Sequence, residues 1–251
     1  GEVDTIKKIR KKDLHAFYKN HYLSNELSIV IVGDISKKEA VNIGNKISLG
    51  FSENKVASVI PKVSLIEGQE IEISHPAKQA HLYYGAPIIK RGDPDFLTLY
   101  LGNYILGGGG FVSRLTQEIR EDRGLAYSVY SYFMPFVEVG PFQIGIQTKK
   151  SQVKQAKELI KKTVAEFIKN GPTAQELRRA KDFMIGGFPL RLDSNKKILE
   201  YVSMMAFYKY PLDYLETFTK KIDKITAEEI KSAFQRRVDM SKFSTVIVGS
   251  E

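Results

Sequence analysis

The beginning and the end of this 251-residue chain carry the same pattern, a helix followed by a short apolar run that ends at a glycine. One constant offset places 28–33 on 244–249 without a gap, and it also matches residues in the preceding helices. The matched pairs are Ile6 with Ile222, Lys8 with Lys224, Ile9 with Ile225, Leu14 with Ile230, Ser28 with Ser244, Val30 with Val246, Ile31 with Ile247, Val32 with Val248 and Gly33 with Gly249. A repeat of this kind indicates that one structural module occurs twice.

The repeat predicts how the chain is divided. Residues 1–55 are predicted to be the closing helix-strand-helix remnant of a first homologous domain plus a linker, and residues 56–251 a complete second domain. A lone strand with two helices buries little apolar surface, so we expect the remnant to pack on a complete module or on another chain. The rest of the first domain is expected in a preceding segment or in a separate subunit.

Apolar periodicity switches repeatedly between the strand period and the helix period along the chain. Strands are predicted at 27–32, 67–73, 81–86, 127–136, 139–148 and 243–248. Helices are predicted at 10–20, 36–47, 93–105, 112–122, 153–168, 173–186, 198–208, 212–219 and from 226 onward, with capping boxes at Ser36/Glu39, Thr173/Glu176 and Thr226/Glu229. This order predicts an α+β fold with a mostly antiparallel sheet of about six strands and helices packed on one face.

The stretch 106–132 contains the most unusual residues of the chain. Four consecutive glycines, Gly107, Gly108, Gly109 and Gly110, allow backbone conformations that other residues avoid. The predicted helix 112–122 follows, Gly124 stands where a helix normally stops, and a strand rich in Tyr and Val begins at Tyr127. We therefore predict a glycine-rich loop, a short helix and a strand joined by tight turns.

A turn between that helix and that strand can bring Arg120 and Tyr127 together, although seven residues separate them. A guanidinium and a phenol directed at one point can hold a peptide carbonyl and stabilise the oxyanion that forms when the carbonyl is attacked. A structural interpretation stays open on the residues alone. An Arg in the last turn of a helix suits the helix dipole, and a Tyr at the start of a strand is ordinary packing.

Several other functions have little support in the sequence. There is no cysteine, and His15, His21, His75 and His81 form neither H-E-x-x-H nor H-x-x-E-H, so no metal site is predicted in this chain. The net charge of +9 suggests nucleic acid, but the basic residues spread along predicted helix faces as solvated residues do. No apolar run approaches the ~18 residues of a membrane span.

Three motifs stand out in the chain: LGGGGFVSRLTQEIREDRGLAYSVYSY, GDPDFLTLYLGNYILGG and KKDLHAFYKNHYLSNELSIVIVGDI. Through them the chain resembles the pitrilysin, or insulinase-type, zinc metallopeptidases, and specifically the second, non-zinc domain of those proteins. The resemblance implies the fold of LuxS and the processing peptidases, with two such domains forming half of a clamshell around a peptide chamber. It implies that Arg120 and Tyr127 hold the substrate backbone and stabilise the tetrahedral intermediate. It also implies that the loop 107–110, with Phe111, contacts the peptide, and that zinc lies in the missing or partner half.

Three functions therefore compete at this point. The first is the substrate-binding, non-zinc half of a zinc endopeptidase, in which this chain alone is inactive and acts with a zinc-bearing homologous domain or subunit as a homo- or hetero-oligomer. The second is a non-catalytic scaffold or peptide-binding subunit of the same fold. The third, nucleic-acid binding, is supported by charge alone, and we do not expect it. The composition is ordinary for a soluble globular protein. We expect a soluble protein, cytoplasmic or periplasmic in a bacterium, and the sequence does not distinguish the two compartments.

Overall fold

The computed structural model describes residues 1–53 and 59–250. The chain divides into two compact units, unit 1 (Gly1–Ile60 and Leu190–Pro211) and unit 2 (Pro61–Pro189 and Leu212–Glu251). Residues 54–58 lie outside the described residues. They include the predicted domain boundary between residues 55 and 56 and part of the predicted linker.

Helices and strands alternate along the chain. The helices are α1 (Val3–Lys8), α2 (Lys11–His21), α3 (Lys37–Ser48), α4 (Phe96–Asn103), α5 (Arg114–Thr116), α6 (Val153–Asn170), α7 (Ala174–Gly186), α8 (Asn195–Phe207), α9 (Tyr214–Lys224) and α10 (Ala227–Arg237). The strands are β1 (Glu70–Ser74), β2 (Gln79–Ile89), β3 (Ala126–Phe133), β4 (Gly140–Lys149) and β5 (Ser244–Ser250). Helices α1, α2, α3 and α8 belong to unit 1, and the remaining helices and all five of these strands belong to unit 2.

Unit 2 is built on one sheet with the strand order β1-β5-β2-β4-β3. Strand β2 pairs antiparallel with both β4 and β5, β3 pairs antiparallel with β4, and β1 pairs parallel with β5. The α+β class and the mostly antiparallel sheet are confirmed, with five strands among the described residues against about six predicted. The predicted hairpin between 127–136 and 139–148 is confirmed as the β3–β4 pair.

The helices of unit 2 cover one face of this sheet. Helix α6 buries Ile160, Val164 and Phe167, which share one face because they recur at helical spacing. Phe234 of α10 meets Phe167 edge-on with ring centroids 4.9 Å apart, an arrangement that aromatic pairs favour. On the sheet side, Phe142 of β4 is fully buried, so the core lies between the sheet and these helices.

Unit 1 contains the predicted helices but not the predicted strand. Helices α2 and α3 occur close to the expected bounds, and Ser36 caps α3 in a box with Glu39. The run 27–32 is neither helix nor strand, contrary to the prediction, and it pairs with no strand in the described part of the chain. An apolar run becomes a strand only where a neighbouring strand supplies its hydrogen bonds, so the sequence pattern alone was insufficient.

The helix predicted at 93–105 begins later and ends earlier. Asp93 accepts a hydrogen bond from the backbone nitrogen of Asp95, and both carboxylates bind Arg237, at 3.0 and 2.7 Å. These contacts hold the residues before Phe96 in a turn, and α4 starts after it. At its other end α4 passes into a π-helical turn, Tyr104–Gly108, that leads into the glycines.

Candidate functional site

Two buried hydrogen bonds join the start of the glycine-rich segment to β3. Asn103 Nδ2 donates to the Ser131 carbonyl oxygen at 3.0 Å, and Ser131 Oγ donates to Asn103 Oδ1 at 2.6 Å. A Cβ at Gly107 would lie 2.3 Å from Ser131 Oγ, and one at Gly108 would lie 2.7 Å from Asn103 Nδ2. Glycine is thus required at both positions by close packing, and Gly107 is itself buried.

This packing gives a first prediction. Gly107→Ala should destabilise unit 2 by about 1–3 kcal/mol, the usual cost of overpacking a well-packed interior. Thermal unfolding measures the effect. Gly186→Ala is the matched control, because a Cβ at Gly186 meets nothing within 4 Å, and an equal loss in the two variants would contradict the prediction.

The helix predicted at 112–122 is broken into three pieces. A 3₁₀ turn, Gly110–Val112, precedes α5, and a π-helical turn, Gln117–Glu121, follows it. Arg114 of α5 fixes the segment, since its Nε donates to Glu176 Oε1 at 2.6 Å and its Nη2 donates to Glu176 Oε2 at 2.7 Å. Burial of the Glu176 carboxyl raises its pKa, but the hydrogen bonds from Arg114 and Thr173 outweigh burial, so the pKa lies below its usual value.

Arg120 lies in the π-helical turn, a geometry that is frequent at functional sites. Its guanidinium stacks over the ring of Phe111, 4.4 Å from the centroid, and its Nε lies 3.5 Å from Glu121 Oε1. The side chain is 34% exposed. Stacking on an aromatic face limits the conformations of a long side chain while leaving its N–H groups available at the edge.

Tyr127 lies at an irregularity of the sheet. Ala126 pairs with Thr148 and Ser128 with Gln147, so Tyr127 is the extra residue of a bulge in β3. Gly124, at a φ of +62°, makes the turn that leads into this strand. Bulges redirect side chains and are common beside active sites, and Tyr127 is 84% exposed.

Arg120 and Tyr127 line one cavity of about 320 Å³ in unit 2. The convergence of the guanidinium and the phenol on one bound group stays a prediction, since lining the same cavity is what the structure shows of the two residues. The other lining residues are Gln79, Gly124, Leu125, Ala126, Gln147, Thr148, Lys149 and Gln152. Residues 107–111 do not line this cavity, although Phe111 reaches the site through Arg120.

A row of apolar and aromatic side chains crosses the face of the sheet opposite the helices. The pairing register places Ile71, Val246, Tyr83, Gly145 and Tyr130 side by side on five successive strands. The Tyr130 ring lies over Gly145, where a Cβ would come within 2.5 Å of its Cζ. Tyr83, Tyr130 and Ile71 remain exposed, so this face offers apolar contacts within the unit that carries Arg120 and Tyr127.

No metal centre fits the residues that the structure describes. Across 1–53 and 59–250, no three His, Cys, Asp or Glu side chains are grouped so that they could hold a metal ion. In the same residues we find no helix whose length and apolar character would let it cross a membrane.

The fold defines a class, an α+β domain with a mostly antiparallel sheet, and its described residues contain no grouped metal ligands. The family model described as "Peptidase M16 inactive domain" matches residues 8–184, and the chain belongs to that family. This confirms the resemblance to the non-zinc domain of the zinc metallopeptidases.

Known proteins of this kind carry contrasting names. The chain is 31% identical to the Helicobacter pylori protein "Non-peptidase homolog YmxG", covering 100% of this chain and 58% of that protein. It is 29% identical to the Bacillus subtilis "Uncharacterized zinc protease YmxG", covering 77% of this chain and 47% of that protein. The crystal structure of a peptidase M16 inactive domain from Pseudomonas fluorescens has a TM-score of 0.94 at 34% identity, covering 100% of this chain and 60% of that one. The chain thus spans about half to three fifths of the length of these proteins.

Sequence reasoning missed three features of the site. It placed Phe111 with the peptide-binding loop, whereas the ring also supports Arg120. It did not find the bulge at Tyr127, or the participation of Gln79, Gln147 and Lys149 in the cavity. The only available signal was alternation, which places Gln147 and Lys149 on one face of β4.

Proposed function

We propose that this chain is the substrate-binding, non-zinc half of a zinc metalloendopeptidase. The observation that carries the proposal is the shared cavity, because Arg120 and Tyr127 face it from a helical turn and from a strand bulge. A guanidinium offers five N–H donors and a phenol offers one O–H donor. Together they can hold a peptide carbonyl and stabilise the negative charge that its oxygen gains when it is attacked.

The attack itself is assigned to the partner half. The described residues of this chain do not fit a metal, whereas bound zinc in the partner would supply an activated water. In this division of labour, the present chain orients the substrate and stabilises charge. Phe111 positions Arg120 by stacking under its guanidinium, and the row from Ile71 to Tyr130 contacts apolar side chains of the peptide.

The second candidate function is a non-catalytic scaffold or peptide-binding subunit of the same fold. The name "Non-peptidase homolog" of the Helicobacter pylori relative favours it. The two functions differ in one measurable respect. A scaffold has no need of Arg120 and Tyr127, so their replacement would leave peptide turnover by the assembly unchanged.

Unit 1 supports the proposal of a homologous partner module. The repeat places three apolar positions of α2 on three positions of α10, namely Leu14 on Ile230, Phe17 on Ala233 and Tyr18 on Phe234. On α10 these positions are 0% exposed, whereas on α2 they are 44–62% exposed. When apolar positions are buried in one copy of a motif and exposed in the other, the exposed copy indicates a surface that a partner covers.

The same comparison supports a particular composition for the proposed partner. Strand β5 lies between β1 and β2, and its repeat equivalent is the unpaired run 28–33. Helix α10 packs on α4 and α6. The proposed partner is therefore a module homologous to β1–β4 with α4 and α6, which adds a strand on each side of 28–33 and is the module proposed to carry zinc.

Peptide binding by the 251-residue chain tests the proposed function. Arg120→Ala is expected to weaken the binding of an unlabelled ten-residue peptide about 10- to 100-fold, since a hydrogen bond to a charged group contributes ~1.5–3 kcal/mol. Calorimetry measures the dissociation constant. Arg123→Ala is the matched control, because Arg123 lies three positions away and binds Glu118 at 2.8 Å. Equal binding by both variants and the parent would contradict the role of Arg120.

A further inference from the structure

The cavity that Arg120 and Tyr127 line is positively charged. Binding a neutral peptide carbonyl does not require that charge. Two of its lining side chains, Arg120 and Lys149, are cationic, and no carboxylate side chain lines it in the part of the chain that the structure describes. Among the described residues, the ion pair of Arg120 is a long one, 3.5 Å from Nε to Glu121 Oε1. In residues 1–53 and 59–250, Lys149 forms no ion pair.

The remaining polar groups of the cavity suit an oxygen ligand. Gln79 and Lys149 are direct partners across the β2–β4 ladder, and they therefore lie on the same face of the sheet. Gln147 Nε2 donates to Gln79 Oε1 at 2.5 Å, so the oxygen of the Gln79 amide is engaged and the donor that this amide can offer is its Nε2 group. Two cations and an amide donor around a concave space attract a carboxylate more strongly than a neutral group.

The size of the cavity limits the ligand. Its volume of about 320 Å³ lies at the lower end of the ~300–1,000 Å³ range of small-ligand pockets. It can hold a peptide end or one side chain with its neighbours. Under the proposed function, such an occupant belongs to an extended peptide and lies next to the amide that Arg120 and Tyr127 are proposed to hold.

We propose that this cavity is a carboxylate-binding subsite and that Lys149 determines its specificity. The inference rests on the proposed function, because it requires that peptides bind beside Arg120 and Tyr127. The carboxylate has two possible sources in a peptide, the C-terminus and the side chain of Asp or Glu. Both present the same two oxygens to the cavity.

The test uses the 251-residue chain and unlabelled, N-acetylated ten-residue peptides composed of Ala, Leu, Phe and Ser. One pair differs only at the C-terminus, as free acid or amide, and a second pair of amides differs only by Glu or Gln at one internal position. Calorimetry at low salt is expected to give about 10-fold tighter binding for the carboxylate member of at least one pair, the scale of a charge-assisted hydrogen bond. The pair that shows the preference identifies the source.

Two lysine variants locate the effect. Lys149→Gln should reduce the ratio between the carboxylate and neutral members of the pair to about one. Lys154→Gln removes the same charge from an exposed position that does not line the cavity, and it should leave the ratio unchanged. Equal loss of the ratio in both variants would mean that overall charge is responsible, and the subsite would be rejected.

The inference and the proposed function fail in different ways. If the parent chain binds the carboxylate member and the neutral member of each pair equally, the carboxylate subsite is overturned while peptide binding stands. If no peptide of either pair binds, the proposed peptide-binding function itself is overturned, and the subsite with it.

Discussion

Replacing Phe234 with alanine is expected to destabilise unit 2 by about 3–5 kcal/mol, the range for a large aromatic residue removed from a core. The ring is fully buried on α10, where it meets Phe167 edge-on at 4.9 Å and Phe133 at 6.1 Å. Its removal leaves a cavity that the surrounding sheet and helices fill only in part. Hydrogen exchange of the β4 amides measures the loss, because these amides report on unit 2 alone.

Tyr18→Ala is the matched control for this prediction, since the repeat places Tyr18 on Phe234. Tyr18 is 44% exposed, so in this chain alone its replacement should cost less than about 1 kcal/mol. In the presence of the proposed homologous module, the same replacement should weaken association about 10-fold or more, as truncation of a central interface aromatic does. For Tyr18→Ala the exchange of the α2 amides in unit 1 is the measure. A loss of stability there, in the isolated chain, as large as that at the β4 amides from Phe234→Ala would show that α2 already has its partner.

The contrast between these two residues also shows how far sequence patterns can be used. The patterns of α2 and α10 are equivalent, and both helices form. The capping boxes at Ser36, Thr173 and Thr226 begin α3, α7 and α10 as predicted, because a cap is a local contact between residues three apart. Burial and strand pairing depend on neighbours, so the sequence could not show that, within the described part of the chain, 28–33 pairs with no strand while β5 lies between two strands.

In the candidate site, too, the local features could be predicted from the sequence and the features that depend on distant neighbours could not. A guanidinium and a phenol on either side of a helix-to-strand turn could be predicted from Arg120, Gly124 and Tyr127, since the turn is local. The π-helical turn and the bulge could not be predicted, because each is an irregularity that depends on packing elsewhere. The buried bonds between Asn103 and Ser131, for example, hold the glycines against β3 and join residues far apart in the chain.

Peptide turnover by the proposed assembly is the measurement that separates a catalytic role of the Arg120 and Tyr127 pair from a scaffold role. In an assembly of this chain with the proposed zinc-bearing module, Arg120→Ala or Tyr127→Phe should lower kcat by about 10²–10³-fold, the usual loss when one oxyanion donor is removed. Tyr127→Phe keeps the ring and removes only the hydroxyl, and Tyr127 is 84% exposed, so neither folding nor assembly should change. Steady-state kinetics with a peptide substrate measures both constants.

The division of the effect between kcat and KM distinguishes transition-state stabilisation from ground-state binding. A group that binds only the ground state raises KM and leaves kcat unchanged, whereas a group that stabilises the developing oxyanion lowers kcat. Arg123→Ala removes a neighbouring guanidinium that is bound to Glu118, and it should leave both constants unchanged. An unchanged kcat in Arg120→Ala and Tyr127→Phe, with normal assembly, would assign this chain to the scaffold function. In that case the cavity between the π-helical turn and the bulge would serve binding alone.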